Sequence, residues 1–400
     1  MKFDWKKTFV LGFGFLGISV VWPLFNSLIP PFLEDLGLSA LVVGFILTWD
    51  NLINMFFQPW VGARSDRTRS RWGRRKPWLM AGAPLAAVFF ILVPFVRTNF
   101  VLIALAILGT NIGMALFRSP TVAYLGDLYP SEQRSKANGV INLMGGVGGA
   151  IALFGGGALF KMGVPLPFIV GALLLLIAVA VVLAFVHEPE APAIDASHEA
   201  APGVWDSLRE VTSGDNPDGL FMLLAIFCWF MAWNAVEAFF TLYVREVLGI
   251  AVGTGTQMLT AFAAMLILFA IPSGLIANRI GRKTTIMIGL FGMIVGLILA
   301  LMLTNSTILL VLLALMGGFW ALVNINSLPL VYDVGGNHAI GALTGLYYFA
   351  SSLAAIAGPI IAGGLIDLTS YSVIWLFAAV FMVLALVMMS RIRVAAPVRD

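Results

Sequence analysis

The chain has 400 residues, 60% of them hydrophobic and only 11% charged, against roughly 25% charged residues in an ordinary soluble protein. So much apolar surface cannot be hidden from water, so a bilayer is the expected environment, and a net charge of +3 is no argument for a nucleic-acid partner. The single cysteine, Cys228, excludes an internal disulfide, and three histidines in polar stretches, His187, His198 and His338, leave an intramembrane metalloenzyme without ligands.

The first apolar run, residues 8–33, is far longer than the roughly 7–15 residues of a signal-peptide core and is read as a retained span. Twelve runs reach the roughly 20 apolar residues a spanning helix needs. They lie near 8–32, 40–63, 78–96, 99–126, 137–160, 166–186, 219–244, 253–277, 284–304, 307–331, 339–365 and 371–390. No alternating ten-residue pattern argues for a barrel, so the expected class is an all-α membrane protein. With a cytoplasmic N-terminus, 19 basic residues fall on the inner side and only Arg97, Lys161 and Arg245 on the outer, while Arg118 lies within a span. That asymmetry predicts a multi-pass protein of the cell membrane with both termini in the cytoplasm.

The one long polar stretch, 187–218, divides a six-helix half, 1–186, from another, 219–400. Within it Val204, Trp205, Leu208 and Val211 fit one face of a surface helix; the plainer reading is a solvated linker. The halves repeat. Gly62…Asp66-Arg67 and Gly73-Arg74-Arg75 return as Gly274…Asn278-Arg279 and Gly281-Arg282-Lys283, and Pro120…Asp127…Gly139 as Pro329…Asp333…Gly345, at offsets of 206 to 212. Parallel repeats of this kind belong to alternating-access carriers, with a substrate site near the midplane.

Two six-helix halves with Gly62-Ala63-Arg64-Ser65-Asp66-Arg67 and Gly73-Arg74-Arg75 between the second and third spans resemble the major facilitator superfamily. Gln58-Pro59-x-Val61-Gly62, the run ending Arg75-Lys76-Pro77, Arg118-Ser119-Pro120 and Trp320-Ala321…Asn326-Ser327-Leu328-Pro329 are similar to the branch of sucrose and maltose carriers and glycoside-pentoside-hexuronide symporters. Melibiose-type members carry paired acids on the second span, where this chain has Asp50 and then Asn54. Plant sucrose carriers place an arginine after the fourth-span proline, whereas Arg118 precedes it. The resemblance implies the major facilitator fold and a secondary transporter moving a di- or oligosaccharide glycoside, with no cofactor and with protons as coupling ion. It implies a conformational latch at Gly62, Asp66, Arg67, Gly73, Arg74, Arg75 and Asp127. The alternative for those arginines is anionic lipid.

A charge inside a span is costly and marks function. Asp50, Asn54 and Gln58 share a face at i, i+4, i+8. Asp50 is the first candidate for proton coupling, against a permanent Asp50–Arg118 ion pair, and Glu237 is the second. Trp233, Asn234 and Glu237 on the seventh span suit a sugar, whose C–H face a ring covers while polar groups meet hydroxyls; the alternative for the tryptophans is packing. Arg118, Asn54, Trp22, Asn26, Trp320, Asn324 and Tyr347 complete the candidate substrate set. The expected partners are a small sugar and membrane lipid, and the chain is expected to act as a monomer. Rivals are an exporter of amphipathic drugs, a lysolipid carrier, and a non-transporting receptor or scaffold. No G-x-x-x-x-G-K-[ST] phosphate loop suggests an ATP motor, and no enzyme activity is expected.

Overall fold

The computed structural model describes residues 3–188, 218–335 and 340–393. These form thirteen helices and no strand: α1 (Trp5–Asp35), α2 (Ala40–Leu47), α3 (Trp49–Arg67), α4 (Lys76–Val96), α5 (Phe100–Leu128), α6 (Ser131–Met162), α7 (Leu166–Phe185), α8 (Asp218–Glu246), α9 (Val252–Ile280), α10 (Arg282–Met302), α11 (Ser306–Gly335), α12 (Ile340–Leu368) and α13 (Val373–Arg391). With α2 and α3 counted as one span, the described residues contain twelve helices long and apolar enough to cross a membrane. The surface helix expected around 204–211 lies outside the described residues.

Helix starts follow local chemistry. Asp4 caps α1 by accepting from the Lys7 N–H at 3.0 Å, and Asn99 caps α5 from the Leu102 N–H at 3.1 Å. Pro77 and Pro167 occupy the first turns of α4 and α7, where a missing N–H breaks no helical bond.

The second span is not the continuous helix expected over 40–63. It is interrupted at Thr48, whose ψ is −3°, with neither glycine nor proline at that residue. The preceding segment is packed tightly on α12. A Cβ on Gly44 would strike the Pro359 carbonyl, and one on Gly363 would lie 2.8 Å from the Leu41 Cα. The Asp367 carboxylate accepts from the Ala40 and Leu41 N–H groups at 2.7 and 2.9 Å. Docking on α12 therefore sets the direction of α2.

The chain forms two compact units. Unit one is Met1–Leu38, Ile46–Ser197 and Ile250–Thr260; unit two is Ser39–Phe45, His198–Gly249 and Ala261–Asp400. In unit one α1 packs on α5, α6 and α7, α4 on α5 and α7, and α3 on α5. In unit two α8 packs on α11, α12 and α13, and α10 on α11 and α13. The neighbours of α1 and α4 correspond to those of α8 and α10, as the duplicated motifs require. Between spanning helices, lipid is as apolar as the side chains, so close approach over small residues does the work. Gly113 of α5 lies against Ala86 of α4 in this way. Aromatic packing fills each core: Phe90 meets Phe168 at 4.9 Å in unit one, and Tyr243 meets Trp375 edge-on at 5.2 Å in unit two.

Candidate functional site: the basic helix ends and the polar groups within the spans

At the basic end of unit one the Arg75 side chain, 5% exposed, is divided among several acceptors. Its Nε donates to Asp127 at 2.9 Å, and the guanidinium also reaches the Ser65 hydroxyl and the Asp66 carboxylate. Arg74 adds a contact to Asp127 at 3.1 Å. Burial works against the Arg75 charge, but the hydrogen bond and charge of Asp127, then of Asp66, outweigh it and hold the guanidinium above its ordinary value.

The same corner holds a residue the sequence reading missed. Glu188, two residues past Val186, the cap of α7, accepts the backbone N–H groups of Arg74, Arg75 and Lys76, the last two at 3.0 Å. The Tyr124 hydroxyl donates to it at 2.7 Å. A carboxylate facing the first N–H groups of α4 is favoured by the helix dipole. Gly73 makes room: its φ is +108°, and a Cβ there would collide with the Glu188 carboxylate. The available signal was an acid directly after a span, at the end of the bundle where bases predominate.

Of the other expected latch residues, Gly62 accepts the Ser65 hydroxyl at 2.8 Å through its carbonyl, while Arg67 is exposed and outside the cluster. In unit two, Arg282 Nη1 meets both oxygens of Asp333 at 2.6 and 2.7 Å in a more exposed setting. Lys283 donates to the Ile392 carbonyl at 2.6 Å as Lys76 does to Leu183 at 2.8 Å. These contacts pair Arg75 with Arg282 and Lys76 with Lys283, one residue off the alignment read from the glycine-led motifs. The extra residue sits in the loop after Gly73.

Within the spans of unit one, Asp50 accepts from the Asn51 amide at 2.8 Å, just after the interruption at Thr48. Asp50, Asn54, Arg118, Trp22 and Asn26 are all half-buried. The Ser119 hydroxyl donates to the Gln58 carbonyl at 3.2 Å and registers α5 against α3.

Unit two brings candidate aromatics from three helices together. Trp233 of α8 stacks on Phe262 at 4.5 Å and on Trp320 of α11 at 5.3 Å. Phe230 stands edge-on to Trp320 and to Tyr347 of α12, at 5.9 and 6.1 Å. The Tyr347 hydroxyl shares a hydrogen bond with Ser327 at 3.0 Å. Asn234 turns its amide to the Phe230 carbonyl at 2.7 Å, and Glu237 and Asn324 are half-buried. Another polar tie that sequence reading passed over is Asn326 donating to Ser273 at 2.8 Å in the buried contact of α11 with α9.

A family model described as MFS/sugar transport protein matches residues 10–396. Sucrose transport protein SUT1 of Oryza sativa subsp. japonica is 35% identical over 79 residues, covering 20% of this chain and 15% of that protein. The likeness to the plant carrier is thus confined to a small part of its length. Multidrug resistance protein 2 of Bacillus subtilis (strain 168) is 24% identical over 380 residues, covering 93% of this chain and 90% of that protein. Among solved structures, the nucleoside transporter NupG has a TM-score of 0.72 at 16% identity, covering 96% of this chain and 98% of that one. The D-xylose-proton symporter has 0.73 at 16%, covering 97% and 98%. At such identities the structural likeness speaks for the fold. With the family match running almost from end to end, the chain belongs to the MFS/sugar transport protein family of the major facilitator superfamily and is a multi-pass membrane protein.

Proposed function

We propose that the protein moves a di- or oligosaccharide glycoside across the cell membrane by alternating access between its halves 1–186 and 219–400, coupled to protons, with the basic loops and both termini in the cytoplasm. The family match over 10–396 is the observation that carries the sugar reading. The half-buried Trp233 and the amides of Asn234 and Asn324 in unit two offer apolar surface and hydrogen-bonding edges, with Trp320 and Tyr347 buried in the same aromatic cluster. Trp22, Asn26, Asn54 and the planar donors of Arg118 do the same in unit one. Proton coupling is assigned to Asp50, whose ionised form is the costly one inside a span, so that its two charge states favour different conformations. One proton moved through 100 mV supplies about 2.3 kcal/mol, a roughly 50-fold concentration ratio. The Arg75–Asp127–Asp66 cluster serves as the latch that breaks when the cytoplasmic side opens.

Export of amphipathic drugs is the second reading, favoured by the likeness to the multidrug resistance protein over 93% of the chain. Purified protein in proteoliposomes, offered a panel of oligosaccharides and of lipophilic cations under an imposed pH gradient, separates the two. Wild type is expected to accumulate sugar. Asp50→Asn is expected to lose accumulation and keep equilibrium exchange, whereas Glu237→Gln raises the sugar concentration needed. Accumulation by Asp50→Asn moves the proton site to Glu237, a response to sodium in place of pH overturns proton coupling, and movement of the cations alone overturns the sugar.

A further inference from the structure

Three helix asparagines settle their amides on their own helix: Asn234 on the Phe230 carbonyl at 2.7 Å, Asn326 on Leu322 at 2.9 Å and Asn142 on Asn138 at 2.9 Å, each four residues back. Asn111 of α5 does not. It is 2% exposed, yet neither its Nδ2 nor its Oδ1 has a hydrogen-bond partner, although the Ile107 carbonyl stands at the same four-residue spacing. The hydroxyls of Thr110 and Thr121 on the same helix are satisfied on the Ala106 and Phe117 carbonyls, both at 2.8 Å. A primary amide has two donors and two acceptor lone pairs, and leaving all of them dry is a costly arrangement in an interior.

The direction of Asn111 follows from the packing of its helix. Gly109 and Gly113 of α5 are the points where Phe89 and Ala86 of α4 come close. At about 100° per residue Asn111 is turned roughly 160° from each, away from α4. It shares a face with Arg118, seven residues on. The second and fourth spans run the same way, and the Ser119–Gln58 hydrogen bond sets their register. Asn111, eight residues before Ser119, therefore lies at the depth of Asp50, eight before Gln58. On α1, which also packs on α5, the Trp22 indole N–H is without a partner too. Trp22 stands thirteen residues before Asp35, where α1 ends, and Asn111 eleven after Phe100, where α5 begins at the same end of the bundle. At about 1.5 Å per residue, these depths differ by only about 3 Å.

We propose that Asn111, with the Trp22 indole at the same depth, is a specificity-determining seat for a ligand hydroxyl in unit one. An amide with both ends unmet asks for a neutral group that accepts and donates at once, which is what a sugar hydroxyl does. A metal cation would use only the oxygen, an anion only the N–H groups, and an apolar cargo neither. The inference rests on the sugar reading above and adds a residue to it.

Asn111→Leu, close in volume and without polar atoms, and Asn111→Ala test it. Two quantities are measured: the unfolding temperature of the empty protein, and half-saturation for an oligosaccharide that wild type binds and for its deoxy analogues. Asn111→Leu is expected to unfold at the wild-type temperature or higher and to need on the order of ten-fold more sugar, the loss of one good hydrogen bond. One deoxy analogue should bind wild type about ten-fold more weakly than its parent, yet bind both variants as well as the parent does. Unchanged half-saturation in both variants overturns the proposal. So does a fall of several degrees in the unfolding temperature of both empty variants with no interaction between variant and deoxy position, which makes the amide structural. If wild type binds no sugar, the functional reading fails before any variant is compared, and the hydroxyl seat fails with it.

Discussion

Arg75 and Arg74 are adjacent and both touch Asp127, but their surroundings differ. The Arg75 side chain is 5% exposed and shared among Asp127, Asp66 and Ser65, whereas the Arg74 side chain is 26% exposed and meets Asp127. Removing one partner of a buried ion pair costs about 3–5 kcal/mol, because the other charge is left in the interior. An ion pair open to solvent contributes about 1 kcal/mol or less. Arg75→Ala should therefore lower the unfolding temperature in detergent sharply and Arg74→Ala only slightly. Equal losses would mean that total charge at this corner matters and burial does not. Arg75→Lys should fall between them, since an ammonium cannot span three acceptors in one plane.

At the scale of elements, the contact of α2 with α12 inside unit two rests on two glycines and one carboxylate. Its counterpart inside unit one is the approach of α6 to the start of α9, where a Cβ on Gly253 would lie 2.6 Å from the Gly157 carbonyl. Gly157 and Gly363 are 206 residues apart, as are Lys161 and Asp367. Lys161 donates to the Gln257 side chain where Asp367 accepts from the N–H groups of α2, so the repeat keeps the position and exchanges the charge. Gly363→Ala should push α2 away from α12, because the atoms in the way are backbone and cannot rotate aside. Faster hydrogen exchange across 40–47 is the readout. Gly364→Ala, whose Cβ would meet only the Leu41 side chain at 3.4 Å, is the control and should leave exchange unchanged. Asp367→Ala removes a helix cap, an effect of about 1 kcal/mol, and should speed exchange in the same segment less than Gly363→Ala does. Exchange unaltered in both would show that α2 is held by other contacts.

For the whole molecule the test is orientation. Counted span by span along the chain, the basic stretch of Arg64, Arg67, Arg69, Arg71, Arg74, Arg75 and Lys76 and the turn holding Thr369 are expected on opposite sides of the membrane. In a background lacking Cys228, a cysteine at Ser70 should be shielded from an impermeant thiol reagent added to intact cells, and one at Thr369 should react. Both positions are exposed in the structure, so a difference between them reports the side of the membrane. Labelling of Ser70 from outside would reverse the proposed orientation, and with it the assignment of the Arg75 cluster as a cytoplasmic latch.

Much of this could be read in one dimension because its causes are local or additive. Twelve apolar runs of about 20 residues become twelve spanning helices because a backbone in lipid must satisfy its own hydrogen bonds. Duplicated motifs become corresponding packing in the two units, and Asp66, Arg74, Arg75 and Asp127, which the family resemblance grouped, meet at one corner. What only the tertiary structure decided depends on partners distant in sequence. Glu188 acts through backbone N–H groups 112 to 114 residues away, and a backbone donor leaves no mark in a sequence. The interruption at Thr48 has no helix-breaking residue to announce it, and the packing of the preceding turn on α12 joins residues more than 300 positions apart. The pairing of Arg75, not Arg74, with its repeat mate Arg282 depends on where one extra loop residue is taken up. Asn111 reads in sequence as one polar residue in a span; its unmet amide emerges only when every neighbour is in place, because satisfaction of a hydrogen bond is a property of the packed surroundings and not of the residue.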